Sequence, residues 1–288
     1  MLFTFHVTNT ATLHMFDMEK VVEMCKGYSG KVESIQSLGS QSLQYVTDGL
    51  IHIDHIFVIS TQHCTTMLPA ILTKKATCVF GKNVDKCAPP KLLAGKYEHA
   101  MKVTFSHAFV IQLALQSQYR HIAIIEDDIE FVSRNFSWKA STHLHELVMS
   151  DSWSLIRLGY RPYFLERTAI EPCPRQCRCI ISTFGPHLCR LNGRSCDLRS
   201  SDLYILNSAS FATLQKKLLD VSVANSKRII DTHPTQALAN QWLLLPQISF
   251  QRTLDVPVDY QLGAGALYMS KCVGPRPLEA VLIEPLHK

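Results

Sequence analysis

The chain has 288 residues, 47% hydrophobic and 18% charged, enough to bury the core of one large or two small domains and too apolar for wholesale disorder. Its 29 basic and 24 acidic residues leave a charge of +5, which favours an anionic ligand. No basic stripe with interleaved aromatics argues for nucleic acid, and no run approaches the ~18 consecutive apolar residues of a transmembrane helix. The opening twenty residues lack a basic region followed by an apolar one, so no signal peptide is expected and the cytosol is favoured. The sequon Asn135-Phe136-Ser137 keeps a secretory route as the alternative.

In chain order, residues 1–49 carry little periodicity and are expected as an N-terminal extension, with one short helix over Met18–Lys26. The Ile56-Phe57-Val58-Ile59 core predicts a buried strand ending at Ser60, followed by a helix over Met67–Lys74. Cys78-Val79-Phe80 predicts a second strand closed by Gly81; Pro89-Pro90 and Gly95 mark a loop. Phe105, Phe109 and Leu113, with Ala108, Ile111 and Ala114 beside them, have the spacing of a helix packed on a sheet, and Ser106 is placed near its start as a cap. His121-Ile122-Ala123-Ile124-Ile125 then predicts an interior strand covered on both faces. Strands are also expected over 154–159 and 203–206, with a helix over 209–220.

Five of the ten cysteines, Cys173, Cys177, Cys179, Cys189 and Cys196, crowd a segment read as an insertion over 171–197. Their spacing matches no standard zinc pair; local disulfides, a structural metal and unpaired thiols all remain open. Residues 253–288 are expected as an irregular tail.

Glu126-Asp127-Asp128 directly follows the isoleucine-rich strand. Like charges this close raise one another's pKa unless something compensates. A hard divalent ion, Mn²⁺ or Mg²⁺, bound through carboxylate oxygen resolves the conflict, and it can bridge the phosphates of a nucleotide and stabilise a leaving diphosphate. The bland alternative is a solvated acidic turn. Buried strands in α/β sheets, however, deliver their carboxyl ends into ligand crevices. The same string resembles the acidic pocket of receiver domains, but there it ends the first strand, whereas more than a hundred residues precede it here.

Ser106-His107, a helix, and a strand ending in Glu126-Asp127-Asp128 together resemble glycosyltransferase family 25, the lipooligosaccharide and collagen galactosyltransferases. Further pieces fall in the family's order: Ile56–Ser60, Trp153–Gly159, Ser201–Leu206, Ile230-Asp231 and Leu245–Gln251. The family's Gly-Cys pair before Ser-His is absent, as are the arginines after its first strand, where this chain has Thr61-Gln62-His63-Cys64-Thr65-Thr66. The resemblance implies a GT-A fold over residues 50–252: an α/β, Rossmann-like mixed sheet flanked by helices, here with the Cys-rich insertion. It also implies a glycosyltransferase, an inverting hexosyltransferase, that moves a sugar from a nucleotide-diphosphate donor to a hydroxyl of a glycan, glycolipid or protein. By position, Asp128 is the expected metal ligand with Asp127, and Ser106, His107, Glu126 and Asp127 are the donor-binding residues. Asp231, then Asp202, are the expected catalytic bases, and His233 is a further candidate for the metal shell. The altered segment after the first strand motivates the alternative of a glycosyltransferase-like binding protein without turnover. A magnesium-dependent phosphoryl-transfer enzyme is a third reading, for which no P-loop is present.

Overall fold

The computed structural model describes residues 17–34, 47–61, 63–66, 68, 70–131, 138–159, 161–162, 180–184, 187–191, 198–199, 202–230, 238–244 and 249–251. Nine strands are β1 (Ser29–Gly30), β2 (His55–Ser60), β3 (Ala76–Phe80), β4 (His121–Glu126), β5 (Leu155–Arg157), β6 (Ile180–Phe184), β7 (Leu188–Leu191), β8 (Leu203–Asn207) and β9 (Gln241–Leu244). They form one mixed sheet in the order β1-β3-β2-β4-β8-β5-β9-β7-β6. β3, β2 and β4 run parallel; β8 lies antiparallel between β4 and β5; β9 is parallel to β5. The expected mixed α/β sheet flanked by helices is therefore present.

The main helices are α1 (Met18–Met24), α2 (Gly81–Asp85), α3 (Glu98–Gln116), α4 (Trp138–Ser150) and α5 (Phe211–Leu219). Side chains alternate across the sheet with the strand period of two, and each face has its own core. Phe57, Ile59, Ile122, Ile124 and Leu206 pack with α1, α3 and α5. Val58, Ala123, Ile125, Ile156 and Ile205 pack with α4 and the helical residues 47–50 on the other side. Both faces of β4 are thus covered, which is why its five residues from His121 to Ile125 are all buried.

α3 presents Met101, Phe105, Ala108, Phe109 and Gln112 to the sheet and its neighbouring helices. Burying each phenylalanine contributes roughly 1.5–3 kcal/mol. The helix begins at Glu98, well before the expected start. Ser106 is consequently a buried mid-helix residue rather than a cap. Gln118, at φ 56°, turns the chain out through a left-handed conformation after the last turn.

Other expectations shift locally. Pro90 begins a one-turn helix, Pro90–Leu93, because a proline at the first helical position gives up an N–H that has no partner there anyway. Gly81 opens α2 instead of closing a strand. Of the helix expected over Met67–Lys74, the described residues Ala70–Thr73 are helical. Within the Cys-rich segment, β6 and β7 form a hairpin that extends the sheet beyond β9, with Cys189 buried; Cys173, Cys177, Cys179 and Cys196 lie outside the described residues.

The stretch before residue 50 contributes α1 to one core and β1 to the sheet edge, and Cys25–Cys87 ties it to the segment after α2. A second disulfide, Cys64–Cys78, links the chain after β2 to β3. Neither pairing is legible from cysteine spacing. No described helix is long and apolar enough to cross a membrane.

Candidate active site

The order of strands reverses at β2, since the chain runs from β2 to β3 and then crosses back to β4. β3 lies on one side of it, and β4, entered through α3, lies on the other. In open α/β sheets such a reversal opens a crevice outside the carboxyl ends of the strands. Here the parallel register aligns Ser60 with Phe80 and Ile59 with Glu126, so Ser60, Gly81 and the acidic triplet arrive at one edge.

Hydrogen bonds close that edge. Ser60 Oγ donates to Asp127 Oδ2 at 2.5 Å, across the reversal, while Asp127 N–H donates to the Ile59 carbonyl at 3.0 Å. The His63 carbonyl is an alternative acceptor for the same hydroxyl at 2.9 Å. A serine has one proton to give, so the two acceptors compete for it. Glu126 N–H donates to the Asp202 carbonyl at 2.8 Å, which sets Asp202 beside the triplet.

α3 supplies Ser106 and His107 from behind. A methyl group on Gly81 would lie 3.4 Å from Ser106 Oγ and 3.5 Å from the Ser60 carbonyl oxygen, so these three residues meet. His107 is fully buried, with Nε2 3.2 Å from Glu126 Oε1 and Nδ1 2.8 Å from Tyr204 Oη. A carboxylate only accepts, so Nε2 carries the proton and donates to Glu126. Nδ1 is then the acceptor, and the Tyr204 hydroxyl donates to it. His107 is thus linked to the acidic edge through Glu126.

Of the expected site residues, Ser106, His107, Glu126, Asp127 and Asp202 converge at this edge. Asp128 follows them in the turn after β4 with its Oδ1 buried. Asp202 is also buried, at 2% exposure. Asp231 and His233 lie outside the described residues.

Sequence reasoning missed Ser60, Tyr204 and Arg157 as participants. Arg157 pairs directly with Tyr204 across β5 and β8, so the two share a face, and its side chain is buried. The available signals were a serine ending a buried strand, and a tyrosine and an arginine inside otherwise apolar strands.

Among the described residues, no three His, Cys, Asp or Glu side chains are grouped to hold an ion. The donor set nevertheless fits a hard divalent ion bound together with a diphosphate. Mg²⁺ is commonly held by one or two carboxylates plus substrate phosphates rather than by an all-protein cage, and a carboxylate turn at a crevice supplies that chemistry. No protein-family model matches this chain and no curated protein matches it, so the reading of the site rests on its own geometry.

Proposed function

We propose that the protein is a metal-dependent glycosyltransferase of the GT-A type, resembling family 25, which moves a sugar from a nucleotide-diphosphate donor to a hydroxyl of a glycan, glycolipid or protein. The observation that supports the proposal is the Ser60–Asp127 hydrogen bond, which spans the reversal of strand order and holds the acidic triplet at the carboxyl ends of the strands, the edge at which Rossmann-like sheets bind nucleotides.

In this reading Asp128 and Asp127 hold Mn²⁺ or Mg²⁺, which supplies Lewis acidity to the departing diphosphate. Ser60 fixes the Asp127 carboxylate. Tyr204 and His107 fix Glu126, which in this reading holds the donor's hydroxyls. The proton of the acceptor hydroxyl falls to a carboxylate, Asp202 or Asp231. The acceptor oxygen attacks the anomeric carbon as the bond to the diphosphate breaks, and the chain's role is to orient both partners and keep water out.

The test is release of nucleotide diphosphate from a panel of nucleotide-sugars by the whole chain, with and without Mn²⁺. Turnover should require the ion, and Asp128→Ala should lower it by roughly a hundredfold or more, the scale of losing a principal electrostatic group. Full activity in Asp128→Ala would overturn the mechanism. Metal-dependent donor binding with no turnover on any acceptor would instead favour the non-catalytic binding protein.

A further inference from the structure

Residues 81–102, from α2 into the first turns of α3, hold five lysines against Asp85 and Glu98 and no arginine, so +3 of the chain's +5 falls within them. Both acids are engaged. Glu98 is bonded to Lys102 at 2.7 Å. Asp85 is half-buried, and burial pushes its carboxyl above the ordinary range, with Lys102, His99 and Glu98 as the charges around it. The other four lysines, Lys82, Lys86, Lys91 and Lys96, are exposed, and among the described residues none of them is in an ion pair.

The elements that carry these lysines are neighbours. α1, α2 and the one-turn helix Pro90–Leu93 all pack on α3. Lys86 Nζ donates to Asn83 Oδ1 at 3.1 Å, and Asn83 Nδ2 donates to the Gly27 carbonyl at 2.6 Å. The Cys25–Cys87 bridge, with Cα atoms 5.5 Å apart, brings the end of α1 beside Lys86. Two apolar side chains border the charges. Met24, next to Cys25, is 69% exposed, and Tyr97 is 40% exposed with Lys96 Nζ 5.7 Å from its ring centroid. Lys82 directly follows Gly81, so this surface borders the acidic edge without sharing a residue with it.

Unpaired lysines with exposed apolar side chains among them match an anionic lipid bilayer: headgroup phosphates attract the ammoniums, while methionine and tyrosine enter the interface. A nucleic acid is a poorer match, since no arginine fork is present for bidentate phosphate contacts. A soluble polyanion would leave Met24 and Tyr97 in water.

We propose that this surface docks on an anionic bilayer, with Lys82, Lys86, Lys91 and Lys96 against the headgroups and Met24 and Tyr97 in the interface. The docking is independent of the glycosyl-transfer reading. The experiment sediments the full chain with vesicles of phosphatidylcholine alone, and of phosphatidylcholine and phosphatidylserine in equal parts. Binding should be confined to the charged vesicles. It should fall at least about tenfold when the salt rises from ~0.1 to ~1 M, because the screening length shrinks from ~10 to ~3 Å. Each lysine near such a surface strengthens binding about fivefold, so Lys86→Gln with Lys91→Gln should weaken it about twenty-fivefold. The same loss of charge at the amino end of β3 and on α4, Lys74→Gln with Lys139→Gln, should leave it within about twofold. Met24→Ser with Tyr97→Ser should weaken it and keep its salt dependence. All three variants should melt at the wild-type temperature. Equal binding to the two kinds of vesicle, no binding to the charged ones, or equal losses in the two lysine variants overturns the proposal. Binding to heparin that exceeds binding to charged vesicles and survives Met24→Ser with Tyr97→Ser assigns the surface to a soluble polyanion and overturns it equally.

Discussion

Replacing His55 by phenylalanine is expected to stabilise the protein in acid while costing a little stability at neutral pH. The His55 ring opens β2 in a half-buried position, with Nε2 2.8 Å from Thr77 Oγ1. It stacks on Tyr119 at 4.7 Å with planes 4° apart, and meets Phe57 edge-on at 4.7 Å. Burial, and then the Lys75 ammonium, push its pKa down from 6.5 to about 4. The folded state therefore keeps a neutral imidazole where the unfolded chain already takes up a proton. Between these values the unfolded state binds more protons, so stability rises with pH. The contribution is complete above about pH 6.5 and is lost as the pH falls toward 4.

Taken whole, the shift corresponds to about 2.5 kcal/mol at pH ~4.5. The ring is only half-buried, and solvent screening reduces that to roughly 1–2 kcal/mol. Phenylalanine keeps the stacking and has no proton to gain, but it forfeits the Thr77 hydrogen bond, at about 1 kcal/mol. Urea unfolding of both proteins at about pH 7.5 and about pH 4.5 gives the difference of differences, in which all other titrating groups cancel. The variant should be the weaker protein at the higher pH and should gain on the wild type by roughly 1–2 kcal/mol at the lower. An identical gap at both pH values would refute the assignment of a buried, neutral His55.

Tyr204→Phe removes the donor to His107 Nδ1 inside a fully buried site, and should cost ~1–3 kcal/mol in chemical denaturation. A loss below about 0.5 kcal/mol would mean that water replaces the phenol. Ser60→Ala should change stability by only about 1 kcal/mol yet weaken Mn²⁺-dependent binding of nucleotide diphosphates about tenfold, read by calorimetry; unchanged binding would remove Asp127 from the ligand's reach. Loop-closure entropy ranks the disulfides. Removing Cys25–Cys87, which spans 62 residues, should cost about 4 kcal/mol, against about 3 kcal/mol for Cys64–Cys78, which spans 14. Paired Cys→Ala variants unfolded in urea check the order.

The central strands were legible because burial on both faces leaves an uninterrupted apolar run, as in Ile56–Ile59 and Ile122–Ile125. The acidic edge was legible because three consecutive carboxylates at the end of such a run repel one another unless donors or a cation meet them there. What could not be read were couplings between distant positions. His107 and Tyr204 are 97 residues apart, Ser60 and Asp127 are 67 apart, and no local pattern encodes either pair. The start of α3 escapes a reading by periodicity because it opens on the polar, exposed pair Glu98-His99 and its buried apolar stripe gathers only from Met101 onward. The disulfides were illegible for a combinatorial reason: ten cysteines admit many pairings, and the dense cluster draws attention away from Cys25, Cys64, Cys78 and Cys87.

The two interior couplings also account for how an acidic edge is tolerated by a closely packed sheet. Glu126, Asp127 and Asp128 repel one another, and at an effective dielectric near 20 each close like-charge pair costs up to about 4 kcal/mol at 4 Å. Each of the two carboxylates nearest the core meets a donor from a different element: Glu126 takes the His107 N–H from α3, and Asp127 takes the Ser60 hydroxyl from β2. Tyr204 meets the other ring nitrogen of His107 and so holds the imidazole in place, and Arg157 brings a buried cation onto the same face one strand further along. These donors are fixed in place by β2, α3, β8 and β5, so the charge arrangement does not depend on a mobile loop. An edge organised in this way holds its carboxylates in position, so a cation of the proposed kind would bind there with little reorganisation. Under the proposed function, that property is what distinguishes a preorganised metal and diphosphate site from a solvated acidic turn.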